Sequence, residues 1–308
     1  MRDSPAVSTS VPDRSDVPGL PEGWVVVSHT GMGPFTTEAV LRRPDGVEVE
    51  WTSRRHRKHQ GLRLIRGPAG TKVERVPVAR RTWWIASLFS IGSICFALGS
   101  VPAYLDRVSA RVDGITFFVG SVFFTAASYL CLAEVSNSPD HIRTGPVRRR
   151  RFRPASWRPH SVDWWSTIVQ LVGTLYFNAM TFLALHDDWS VTQERRLVWR
   201  PDVIGSICFL VASYLAWAEV CHSMGRLRFR DVSWWIVVLN LLGSVFFGVS
   251  AIGAFVLPST NDVVSLRWDN GGTILGALCF LVAAVLLIPE ARAARAAGPV
   301  VPGGDAFG

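Results

Sequence analysis

Apolar positions along this chain gather into six long runs separated by polar segments, and the runs come in pairs that repeat three times. Each pair opens on adjacent tryptophans: Trp83-Trp84, Trp164-Trp165 and Trp234-Trp235. Within the first run Gly92, Gly173 or Gly243 follows, then Phe96, Phe177 or Phe247. The second run carries Gly120, Gly205 or Gly276, then Phe124, Phe209 or Phe280, then Glu134, Glu219 or Glu290 near its end. First-run positions align at offsets of 81 and then 70 residues, and second-run positions at 85 and then 71.

The runs cover residues 83–103, 114–133, 164–185, 203–218, 234–257 and 272–288, and none holds a charged residue. Each is near the ~20 residues that a helix rising ~1.5 Å per residue needs to cross a ~30 Å hydrocarbon core. Period-two alternation is missing, which argues against barrel strands. The pattern predicts an all-α polytopic membrane protein with six transmembrane helices as three tandem helical hairpins. Two helices per copy make the copies point the same way, so an axis along the membrane normal should relate them. The glycines allow the close backbone approach on which helix association in lipid depends.

Outside the runs, residues 1–20 are rich in Ser, Pro and Asp and read as a disordered tail. Residues 21–65 read as a small cytoplasmic β unit with a basic stretch. Trp24-Val25-Val26-Val27-Ser28 is β-rich. Residues 39–43 and 47–51 flank Pro44-Asp45-Gly46, where Pro presets φ and Gly accepts φ > 0. Two or three such strands are too few for a large core, so the unit should lean on a neighbour or on the membrane surface. Ser53-Arg54-Arg55-His56-Arg57-Lys58-His59 reads as a solvated juxtamembrane stretch beside anionic headgroups. The remaining divisions are a basic linker at 66–82, hairpins at 83–135, 164–222 and 234–291, a basic linker at 136–163, a loop at 223–233 and a flexible tail at 292–308.

Charge orients this arrangement. Counting residues 51–82 before the first run, twenty-two Lys and Arg residues flank the runs on one side and six on the other, which places both termini in the cytoplasm. Met1-Arg2-Asp3 leads into polar sequence without an apolar stretch, so no signal peptide is expected. The net charge of +8 is thus a membrane-flank property, and nucleic acid is not an expected partner despite the four arginines at 148–151. Two lysines against thirty arginines suggest a GC-rich bacterial genome. Cys95, Cys131, Cys208, Cys221 and Cys279 contain no CxxC pair and read as packing residues, without disulfides or a zinc site.

Gly-Ser or Gly-Thr followed by Phe (Gly92-Ser93 to Phe96, Gly173-Thr174 to Phe177, Gly243-Ser244 to Phe247), with Gly and Phe again in the second helix, resembles the YrhK-like membrane domain. The resemblance covers the hairpins, about half of the chain. It implies a bacterial inner-membrane protein of uncharacterised role and supplies no catalytic residues. The copies are not identical: Phe89 stands where the others have Gln170 and Asn240, and Ala277 replaces Ser121 and Ser206.

Candidate chemistry rests on six residues. Glu134, Glu219 and Glu290 occupy one aligned position at the cytoplasmic helix ends. They read as interface carboxylates paired with arginines of the next loop; on a common axis they would instead form a cation-attracting ring. As interface residues, each change to Gln should cost well under about 1 kcal/mol, and the effects should add. Gln170, Asn178 and Asn240 lie deeper and read as hydrogen-bonding glue between helices. The Trp pairs read as interfacial anchors. His186 with Asp187 and Asp188 reads as a solvated loop, and no P-loop, HExxH, GxSxG or dinucleotide fingerprint is present. No cofactor, metal or enzymatic activity is expected. Lipid and its anionic headgroups are the expected contacts, with a protein partner or homo-oligomer besides. A structural or interaction role ranks ahead of a transporter or channel for a small solute or cation, because the midplane is mostly Leu, Val, Phe, Gly and Ala.

Overall fold

The β unit follows from alternation and turn chemistry. In a computed structural model, which describes residues 17, 19–67, 79–142, 151–186, 188–221, 229–257, 260 and 262–297, it is a four-stranded antiparallel sheet. Its strands are β1 (Val25–Met32), β2 (Phe35–Arg42), β3 (Glu48–Thr52) and β4 (Arg63–Arg66), paired in chain order. Gly33, at φ +55°, begins the Gly33-Pro34 turn between β1 and β2. Gly46, at φ +81°, donates to the Arg43 carbonyl at 3.0 Å in the predicted Pro-Asp-Gly turn. Thr37, Ala39 and Leu41 of β2 and Val49 and Trp51 of β3 alternate into one core with Trp24, Val47 and Leu62. The sheet has one strand more than the two or three expected, because β4 pairs with β3 after a helical turn that the basic composition concealed. The core also takes in Val17, from the stretch read as a tail, and Ile142, from the linker between the first two hairpins.

That turn is α1 (Ser53–Arg57). Thr52 caps it by accepting from the Arg55 amide, and His59 and Gly61 at positive φ return the chain to β4.

Six helices are long and apolar enough to span a membrane. In chain order the helices are α2 (Arg80–Gly99), α3 (Pro102–Leu105), α4 (Ala110–Ser136), α5 (Val162–Leu183), α6 (Val191–Glu194), α7 (Arg200–Cys221), α8 (Val232–Gly253) and α9 (Leu266–Ala297), with a π-helical turn at Arg195–Trp199 carrying α6 into α7. α3 and α6 are short turns on the face opposite the β unit. The first run stops at Gly99 rather than at 103, because Pro102 lacks the N–H that a continuing helix needs and starts α3 instead. α4 and α9 extend past the expected limits and draw charged residues such as Asp113 and Glu290 into helix.

The long helices form a closed ring: α2, α4, α5, α7, α8 and α9 each pack on the next, and α9 returns to α2. Within each hairpin the backbones meet at glycine. A Cβ on Gly120, Gly205 or Gly276 would fall 3.2, 3.2 or 3.0 Å from the carbonyl oxygen of Gly92, Gly173 or Gly243. Between hairpins, hydroxyls and amides bond across: Ser121 with Thr181 at 3.0 Å, Asn178 to Thr125 at 2.9 Å and Ser213 with Ser244 at 2.8 Å. Ile94, Val122, Leu175, Ile207, Val245 and Val282 instead face outward and are exposed, the distribution expected of a bundle surrounded by lipid. The chain is thus an integral membrane protein by the length and composition of its helices.

Candidate functional site

The six aligned phenylalanines meet inside the ring. Phe96, Phe124, Phe177, Phe209, Phe247 and Phe280 form one buried cluster, each ring touching others at centroid distances such as 5.0 Å for Phe177–Phe209 and 5.5 Å for Phe96–Phe124.

Toward the β unit, α1 closes the ring. A single helical turn places Arg54, Arg57 and Lys58, three and four residues apart, on one face. Arg54 Nε donates to Glu290 Oε1 at 2.7 Å, and Lys58 Nζ pairs with the other oxygen of that carboxylate. Arg57 reaches Asp163 at 3.5 Å through Nη1 and Glu219 at 3.2 Å through Nη2. Ser53 Oγ donates to Glu219 Oε1 at 2.9 Å, and Ser233 Oγ donates to Glu290 Oε1 at 2.6 Å. The other side chains of α1 bond to neighbouring loops: Arg55 donates to the Gln60 and Gly61 carbonyls ahead of β4, and His56 Nε2 donates to the Pro139 carbonyl after α4.

These contacts correct the expectation of a solvated basic stretch and of glutamates paired with arginines of the next loop. Glu219 is 1% exposed, Glu290 7% and Glu134 8%. The cations on Glu219 and Glu290 come from α1, not from the following loops. Opposite charge drives this: burying four carboxylates requires cations, and α1 delivers three on one face. Burial would lower the Arg57 pKa, but Glu219, Asp163 and Glu134 outweigh it and hold the guanidinium above its ordinary value. For Lys58 burial and the neighbouring Arg54 prevail over Glu290 and Glu134, and its pKa is lowered. Burial likewise lowers that of Arg55.

Between the α1 lid and the phenylalanines lies a cavity of about 120 Å³. Its walls come from aligned positions: Phe89 with Gln170 and Asn240, Ile85 with Ser166 and Ile236, Cys131 with Ala216 and Leu287. Glu134 also lines it, and among the described residues its carboxylate has no hydrogen bond or ion pair. Of the amides read as glue, Asn178 bonds across to Thr125, whereas Gln170 and Asn240 face the cavity without a side-chain partner among the described residues.

The Trp pairs divide their work. Trp164 and Trp234 are buried, whereas Trp83, Trp84, Trp165 and Trp235 are exposed. Trp165 and Trp235 donate to the Pro159 and Phe229 carbonyls at 3.0 Å, tying down the segments that lead into α5 and α8. His186 lies against Trp189, and Asp187 lies outside the described residues, as do residues 148–150 of the arginine run and most of the two tails. Among the described residues, no three His, Cys, Asp or Glu side chains are placed to hold a metal ion.

No family model, curated protein or solved structure matches the chain.

Proposed function

We propose that this chain is a non-conducting membrane anchor that holds a small cytoplasmic β unit on a six-helix bundle for contact with a protein partner. The observation that carries the reading is closure at two levels, six packed phenylalanines and, above them, the ion-paired α1 lid. Three equivalent hairpins about an axis along the membrane normal account for the aligned cavity walls and for the recurring glycine contacts. Excess Lys and Arg on the β-unit side supports cytoplasmic termini in a bacterial inner membrane. Membership of the YrhK-like family rests on the Gly-Ser/Thr and Phe positions of the hairpins. The edge strands β1 and β4 present exposed Val25, Val27 and Ile65, a surface suited to a protein contact. The role is structural and not enzymatic.

Reconstitution in liposomes tests it: no flux of potassium, sodium or small neutral solutes is expected, and flux through the unmodified protein would overturn the reading. The cavity with Glu134, Gln170 and Asn240 favours a second reading, a channel or transporter gated by α1. On that reading Arg54→Gln with Arg57→Gln would open a flux; on the first it would not.

A further inference from the structure

We propose that the cavity beneath α1 binds a small neutral primary carboxamide, its C=O and NH2 groups bonded to Gln170 and Asn240. The inference goes beyond the anchoring role and does not depend on it. Charge is the first argument. α1 lines the cavity with Arg54, Arg57 and Lys58, and α4 lines it with Glu134. Arg54 and Lys58 are held by Glu290, and Arg57 by Asp163 and Glu219. Glu134 in turn lies in the field of Arg57 and Lys58. Opposite charges thus already face one another, and no ion is needed to balance them. A cationic guest would meet the three cations of the lid. An anionic guest would meet Glu134 and compete with the three carboxylates that hold the lid. Either would also give up its hydration, so the guest that fits is neutral.

Hydrogen bonding is the second argument, because open donors and open acceptors both line the cavity. Gln170 on α5 and Asn240 on α8 present whole carboxamide groups without a side-chain partner among the described residues. Among the same residues the Thr82 hydroxyl is unpartnered and Arg57 Nε has no acceptor. Ser166 spends its hydroxyl proton on the Ala212 carbonyl at 2.9 Å, and Thr167 spends its own on the Trp164 carbonyl at 3.0 Å. Both oxygens keep lone pairs to offer a guest. The guest must therefore donate and accept at once. An alcohol brings a single donor. A primary carboxamide brings two N–H donors and a carbonyl acceptor, the set that Gln170 and Asn240 themselves carry, and so pairs with them reciprocally.

Size and polarity complete the class. Ile85, Phe89, Val237, Phe280 and Ala284 make the rest of the wall apolar. A short alkyl group covers that part, where water finds no polar partners. A cavity of ~150 Å³ accommodates benzene, so about 120 Å³ suits a carboxamide of about five heavy atoms.

The test is saturation-transfer NMR of the full chain in detergent micelles, titrated with propanamide. Sodium propionate and propylammonium chloride, matched in length and opposite in charge, are the comparisons. Saturable propanamide binding is expected, with both ions at least tenfold weaker. Gln170→Leu, which removes one reciprocal partner, should weaken propanamide at least tenfold. Ala284→Leu, which fills the cavity and keeps the polar wall, should weaken it as much and serves if Gln170→Leu does not fold. Absence of saturable binding, as for a cavity that holds water only, would overturn the proposal. So would affinity unchanged in either folded variant, or equal affinity for propionate or propylammonium.

Discussion

Arg54 donates its Nε–H to Glu290 Oε1 at 2.7 Å across 236 positions of the chain. The contact ties the N-terminal unit to the last helix, and Lys58 engages the second oxygen of the same carboxylate. Both partners are largely buried, so this is a structural lock rather than a surface ion pair.

Glu290→Gln should therefore destabilise the protein by about 3–5 kcal/mol, the usual cost of removing one partner of a buried pair. Thermal unfolding in detergent measures it. Combination with Arg54→Gln should recover part of the loss, because the stranded charge is then gone too. A change below about 1 kcal/mol, as the interface reading required, would contradict the lock.

The glycine contacts make a second contrast. A Cβ at Gly205 would lie 2.8 Å from the Phe177 ring, whereas one at Gly248 meets nothing within 4 Å. Gly205→Ala should cost about 1–3 kcal/mol through overpacking, and Gly248→Ala should be neutral or stabilising by up to about 1 kcal/mol. Equal effects in the same unfolding assay would show that hairpin packing is not what these positions serve.

Phe96 touches Phe117, Phe124, Phe177 and Phe247 in the closed ring. Phe96→Ala should cost about 3–5 kcal/mol in unfolding free energy. A loss no larger than that of an exposed residue such as Phe182→Ala would contradict the packed cluster.

Lys58 gives the lock a pH dependence. It faces Arg54, Arg57, Glu134 and Glu290, and burial with Arg54 lowers its docked pKa below the free value. Between those two values the released form binds more protons, so docking strengthens as pH rises toward the ordinary lysine range. Arg57 is shifted the other way, and its contribution is present below the ordinary guanidinium value and lost only above it. Proteolytic release of the β unit should then slow or hold steady from pH 7.5 to pH 10, and Lys58→Met should flatten any trend. A rate that climbs with pH in the unmodified protein but not in Lys58→Met would contradict this sign.

The bundle was legible because Trp, Gly, Phe and Glu recur at fixed offsets and because lipid demands long apolar helices. The lock was not, although its signal was present: Arg54, Arg57 and Lys58 have the i, i+3, i+4 spacing of one helix face. A five-residue helix is too short to announce itself by periodicity, and basic residues beside a membrane span have a sufficient explanation in headgroup attraction. Pairing over more than 160 positions, as between Ser53 and Glu219, leaves no local trace. The cavity was half legible, since Gln170 and Asn240 share an aligned position, but their lack of side-chain partners among the described residues is a property of the packed ring.

Hydrogen–deuterium exchange at residues 53–58 is the most direct measurement of the lock. An undocked turn of this length exchanges at the rate of free chain. The account predicts strong protection in the unmodified protein, and free exchange in Glu219→Gln/Glu290→Gln while α5 and α8 stay protected. Free exchange at 53–58 in the unmodified protein, or undiminished protection in the double variant, would contradict it.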